Sequence, residues 1–104
     1  MLATLTITTL ILAAPLGAVA RPEPVQVTIC RVFGTACFDA LKVSWCESRW
    51  HTWARNGQYL GLFQMGSRER SLFGHGLDAE AQTRAAYRYF VASGRDWSPW
   101  TCQP

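Results

Sequence analysis

Hydrophobic and polar residues follow two regimes along the chain. Positions 2–19 are an uncharged run dominated by Leu, Ile, Ala and Thr, broken by Pro15 and Gly17. Beyond Arg21 the pattern becomes periodic. Over 36–49 there is no Gly or Pro, and Phe38, Leu41 and Trp45 recur at i, i+3 and i+7, one helical face. Ala36, Ala40, Val43 and Glu47 fall on the opposite face, leaving Asp39, Lys42 and Arg49 on a narrow stripe. A helix apolar on two sides is expected to run buried through the middle of a domain. Glu47 then stands on an apolar face near its C-terminal end.

Turn signals divide the C-terminal half of the chain. Asn56-Gly57 and Gly61 bracket a short strand or extended edge over 58–60. A short helix is expected over 67–73, stopped by Gly74. Asp78 is a good N-cap for a helix over 79–92 that Ser93-Gly94 would end. Its Ala81, Ala85 and Ala86 permit close approach of another helix, while Tyr89 and Phe90 supply bulk. The tail 96–102 has no period. The proline-spaced stretch 21–26 reads as a short linker, with folding starting near Val27 and no internal repeat after it. The fold class expected is mainly α, with a small β element: one compact helical domain over 27–104 around a buried central helix.

Composition narrows the possibilities. All 10 Lys and Arg and all 7 Asp and Glu lie after position 20, together with 5 Trp, 3 Tyr and 4 Cys, which argues against disorder, a coiled coil or several domains. A domain of this size buries only about 60 to 65% of its unfolded surface, so its core alone would be marginal. Ala18-Val19-Ala20 before Arg21-Pro22-Glu23-Pro24 has the form of a cleavage signal. The expectation is a signal peptide over 1–20 and a secreted, extracellular or cell-envelope protein without stable membrane insertion once cleaved. A retained anchor is the alternative, since the run is just long enough to span a bilayer.

Export makes disulfides the default for Cys30, Cys37, Cys46 and Cys102. No Cys-x-x-Cys occurs and His51 and His75 are not at paired ligand spacing, so neither metal nor cofactor is expected. On one continuous helix Cys37 and Cys46 would be about 13 Å apart, too far for a mutual bond. Two connectivities survive, the simpler joining Cys30 to Cys37 and Cys46 to Cys102.

A carboxylate on an apolar helix face must be paired, hydrogen-bonded or protonated. For Glu47 the plain reading is a salt bridge to Arg49, Arg55 or Arg68. The functional reading comes from a combination of motifs. Cys46-Glu47-Ser48, then Gly61-Leu62-Phe63-Gln64-Met65, then Ala86-Tyr87-Arg88-Tyr89-Phe90 resemble, in order and spacing, the three motifs of the lysozyme-like lytic transglycosylase superfamily. The cysteine before the glutamate and the Trp-rich tail ending in Cys102 are similar to the resuscitation-promoting-factor catalytic domain and to small secreted actinobacterial lysozyme-like proteins, in which these two cysteines join. The resemblance covers about 27–102.

The resemblance implies an α+β lysozyme-like fold and a glycosidase or lytic transglycosylase acting on the β-1,4 bond between N-acetylmuramic acid and N-acetylglucosamine. Glu47 would be the general acid and base, Gln64 a sugar-binding residue, and Tyr89, rather than Tyr87, the tyrosine touching the catalytic carboxyl. Ser48 would orient its neighbour or cap the helix. Arg49 stands where many relatives carry glycine, and Phe63 where methionine often precedes the glutamine. Tyr59, Trp50, Trp53, Trp97 and Trp100 are further candidates for stacking on sugar.

A two-carboxylate mechanism needs partners about 5 to 5.5 Å or about 6.5 to 9.5 Å apart. Asp39 lies about 12 Å from Glu47 along the helix, and Glu69, Asp78, Glu80 and Asp96 match no motif. This favours the single-acid mechanism that the resemblance implies, which releases a 1,6-anhydro product, with hydrolysis in the same site as the other outcome. A net charge of +3 with dispersed Arg suits anionic peptidoglycan strands as the partner and, without a basic run, excludes nucleic acid. The chain is expected to act as a monomer. The rival readings are a non-catalytic glycan-binding module on the same fold and a disulfide-stapled signalling or inhibitory protein.

Overall fold

The computed structural model describes residues 3–6 and 21–104; apart from 3–6, the expected leader over 1–20 lies outside the described residues. Helix α1 (Val25–Phe33) begins two residues inside the expected linker. Pro24 starts it, because its carbonyl accepts the N–H groups of Val27 and Thr28 at 3.0 and 3.1 Å, and a proline at a helix start gives up no bond. The β-branched residues of α1 disguise it in the sequence; burial of Ile29 and Phe33 holds it in place.

Gly34, at φ 56°, ends α1, and a 3₁₀ turn (Gly34–Ala36) leads into α2 (Cys37–Ser48). The turn sets Cys37 beside Cys30, and the two are disulfide-bonded. Helix α2 differs from the expectation of burial on two sides. Ala40, Val43, Ser44 and Ser48 are buried, whereas Phe38 is 79% exposed and Trp45 46% exposed. Among the described residues, Arg49 lies over the Trp45 ring and Trp50 stands edge-on to it at 4.8 Å, and the rest of that face is left open at Phe38.

The hairpin of β1 (Arg55–Asn56) and β2 (Tyr59–Leu60) is antiparallel, pairing Arg55 with Leu60 and Asn56 with Tyr59. Beyond it come α3 (Ser67–Phe73) and α4 (Ala79–Ala92), with the bounds the turn signals predict. Asp78 caps α4 by accepting the Ala81 N–H at 2.7 Å. Ala85 and Ala86 are fully buried.

The core centres on Phe33. Its ring meets Phe63, Tyr87, Phe90 and Trp97 at centroid distances of 5.3 to 5.7 Å. Trp97 and Trp100 bring the unpatterned tail into this cluster, and the Trp100 indole N–H donates to the Phe63 carbonyl at 3.0 Å. One buried polar side chain ties the loops to α4. Gln82 accepts the Leu62 N–H through Oε1 and donates through Nε2 to the carbonyls of Thr52 and Gly76, each at 2.9 Å. A Cβ at Gly61 would lie 2.4 Å from that Oε1, so this close approach requires glycine.

The result is a small helix-rich domain with a two-stranded sheet and two disulfides, Cys30–Cys37 and Cys46–Cys102. Among the described residues no helix is long and apolar enough to cross a membrane.

Candidate functional site

An open groove of about 280 Å³ lies between the end of α2, the hairpin, the start of α3 and the tail. Glu47, Tyr59, Gln64 and Tyr89 all line it, together with Glu69 and Trp100. Four residues that the sequence singles out for one chemistry are thus brought together from four separate segments.

Glu47 is half-buried one position before the end of α2. Its Oε1 accepts the backbone N–H of Cys102 at 2.9 Å, and the Cys46–Cys102 disulfide closes the same junction. The expected salt bridge is absent: the described ion pairs join Arg31 to Glu23 and Glu80, and Arg84 to Glu80. Arg49 instead donates to the Trp45 carbonyl and covers its ring, and Arg55 donates to the Gly57 carbonyl. His51 stacks on Trp53 at 4.4 Å. Of the three ways to settle a carboxylate on this face, the fold uses a hydrogen bond.

Gln64 sits in a tight turn at φ 47°, left-handed and uncommon for a side chain other than glycine. Its Nε2 donates to the carbonyls of Gly61 and Ala54 at 3.0 and 3.2 Å, which fixes the side chain along the groove floor. Tyr59 stands on the hairpin, 45% exposed, against Gly66.

Tyr89 faces the groove, but no described hydrogen bond joins it to Glu47, contrary to the expected contact. Its ring is held between Phe73 at 5.1 Å and Trp100 at 4.8 Å. Burial, and then the nearby Glu69 carboxylate, push the hydroxyl above its ordinary pKa. Tyr87 is edge-on to Phe33 in the core, beside Arg95. Ser48 takes the second of the two roles expected for it, at the helix end. Its hydroxyl donates to the Ser44 carbonyl and accepts the Trp50 N–H, finishing α2 inside the protein. Among the tryptophans proposed for stacking, Trp100 alone lines the groove; Trp97 is core and Trp53, 76% exposed, lies outside it.

Glu69 is the residue that sequence reasoning missed. The expectation of one carboxylate rested on helical spacing and motif membership, neither of which reports what the hairpin and the Gln64 turn bring beside α2. Glu69 is half-buried in the first turn of α3, and none of the described hydrogen bonds or ion pairs includes it. A Cβ on Gly66 would come within 2.6 Å of its Oε2, so the carboxylate lies over a position kept clear by glycine. The groove is lined by two acidic side chains and no Lys or Arg, although the protein carries +3 overall. Among the described residues there is no group of three or more His, Cys, Asp or Glu placed to hold a metal ion.

The arrangement offers proton transfer from carboxyl groups, hydrogen bonding to hydroxyl and amide groups from Gln64 and Tyr89, and stacking on the exposed ring of Tyr59. Comparison of the chain with family models, with curated proteins and with solved structures finds no match.

Proposed function

We propose that this protein is a secreted, lysozyme-like glycosidase of peptidoglycan that cleaves the β-1,4 bond between N-acetylmuramic acid and N-acetylglucosamine. The observation that carries the reading is the convergence of Glu47, Gln64 and Tyr89, one from each of three sequence motifs, on a single groove. Glu47 is the proton donor to the glycosidic oxygen. Gln64 orders the sugar through its amide, and Tyr59 offers a face to a sugar ring. The two disulfides suit an oxidising compartment, where the cell wall is also found.

General acid catalysis contributes about 10²- to 10⁴-fold in rate. Digestion of purified cell walls with mass spectrometry of the released muropeptides tests the reading. New glycan ends are expected from the parent protein and at least a roughly 100-fold loss of them from Glu47→Gln. Equal release by both proteins would overturn the assignment of Glu47, and wall binding without any release would leave a glycan-binding module.

A further inference from the structure

Glu69 has a groove-facing carboxylate without a described partner inside the protein. Most half-buried carboxylates are satisfied by an arginine or by backbone N–H groups. Arg68, which borders the carboxylate, is in no described ion pair with it, and the other neighbouring candidates make no described bond to it either. Arg70 is engaged with the carbonyls of Gln58 and Met65, and the α3 N-cap, Gly66, makes no described bond to the Glu69 side chain. The carboxylate instead lies over the bare Cα of Gly66, beside Tyr59 and near Tyr89.

Glu47 and Glu69 belong to different parts of the groove. Glu47 is tied to the tail through Cys102, and Glu69 to the hairpin and α3 through Gly66. Tyr89 and Trp100, in mutual ring contact, line the same groove. A single-carboxylate mechanism, in which the sugar's own 6-hydroxyl attacks, has no task for a second acid in the groove that lacks a partner among the described residues. Inverting hydrolysis has one: a carboxylate on the far side of the sugar ring that takes a proton from water.

We propose that Glu69 is the second catalytic carboxylate of this groove, the base that activates water, so that the glycan bond is hydrolysed with inversion. The inference rests on the glycosidase reading of the groove. In the step, the Glu47 carboxyl gives its proton to the glycosidic oxygen as the bond from C1 to that oxygen breaks. Water forms the new bond to C1 from the opposite face and passes a proton to the Glu69 carboxylate. The products are a free 4-hydroxyl and a reducing sugar. Glu47 ends ionised and Glu69 protonated, and exchange with solvent restores both.

The test is digestion of cell walls by the parent protein, Glu69→Gln and Glu47→Gln in ¹⁸O-labelled water, with proton NMR of the first-formed anomer. The parent is expected to yield reducing ends labelled at C1, with the α-anomer appearing first. Glu69→Gln, which keeps the shape of the side chain, is expected to lose about 10²- to 10⁴-fold in hydrolytic rate with an unchanged melting temperature. Anhydro ends from the parent, a first-formed β-anomer, or equal hydrolysis by Glu69→Gln would each overturn the role of Glu69 while leaving the glycosidase reading intact. No new ends from the parent would remove the glycosidase reading itself, and this inference with it. The anomer readout requires only the parent protein, so a folding defect in the variant cannot mask the answer.

Discussion

The backbone N–H of Cys102 donates to Oε1 of Glu47 at 2.9 Å, while the sulfur of the same Cys102 is bonded to Cys46, the residue before Glu47. One residue of the tail thus grips two consecutive residues of α2 through two kinds of bond. The orientation of the glutamate and the covalent closure of the domain are coupled at this point.

Replacing Cys46 and Cys102 by serine together is expected to cost about 4 kcal/mol of stability in the chain-entropy account of a long loop. Urea denaturation measures that loss. Cleavage or glycan binding should fall as well, because the tail no longer holds its amide against Glu47. Unchanged stability and unchanged activity in the double variant would show that the coupling does not exist.

Gln82→Ala leaves one buried N–H and two carbonyls without the partner that now serves all three. A buried polar group without a partner costs about 1 to 3 kcal/mol, so a loss of roughly 3 kcal/mol is expected, read as a lower denaturation midpoint with the slope preserved. Gly61→Ala should destabilise through the same contact, since its Cβ would meet the Gln82 amide at a φ of 80°. A midpoint unmoved in either variant would contradict the buried bridge.

Gln64 separates backbone strain from sugar recognition. Gln64→Gly relieves a left-handed φ, so its stability should stay within about 1 kcal/mol of the parent. Gln64→Ala keeps the strain and loses the amide that held the turn, so it should be the less stable of the two. Both should bind glycan oligomers more weakly, as isothermal titration would show. Parent-like affinity in Gln64→Gly would remove Gln64 from the site.

His75 sets an acid limit on the fold. Burial, and then Arg70, hold its imidazole below the ordinary value of 6.5, and its Nδ1 is buried without a partner. Asp78, Glu80, Arg84 and Arg88 share the shallow depression that contains it. As pH falls below about 6.5 the unfolded chain takes up this proton before the folded one does, so stability drops from there down through the lowered folded value. The melting temperature should decline as pH falls below about 6.5, and His75→Gln should flatten that decline. An equal decline in the variant would assign it to other groups.

Where the sequence was legible, the physics was local. The bounds of α3 and α4 arise from Gly74, Asp78 and Ser93-Gly94, residues that act within one turn of themselves. Helix α2 was legible as a helix but not in its burial, because Phe38 and Trp45 look like core residues until the neighbouring elements are in place. Helix α1 was hidden by valines and threonine that favour strands locally and are overruled by packing on Phe33. In the groove, Glu47, Gln64 and Tyr89 were marked by motif resemblance, and Tyr59 as an aromatic able to stack on sugar. Glu69 had no such mark, and its importance arises from a turn at Gly61–Gln64 that no periodicity reveals. Ser48 was legible as a helix-ending residue because its hydroxyl acts within its own turn, on the Ser44 carbonyl and the Trp50 N–H.

Trp100 has a consequence for measurement. Its indole is fixed by the Phe63 carbonyl, touches Tyr89, and forms part of the groove surface. Anything that settles in the groove changes the surroundings of the exposed edge of that indole and of Tyr89 against it, so the protein carries a built-in optical gauge of occupancy. Ligand titrations can be followed by tryptophan emission without a label, with Trp100→Phe as the blank that separates this signal from the other four indoles.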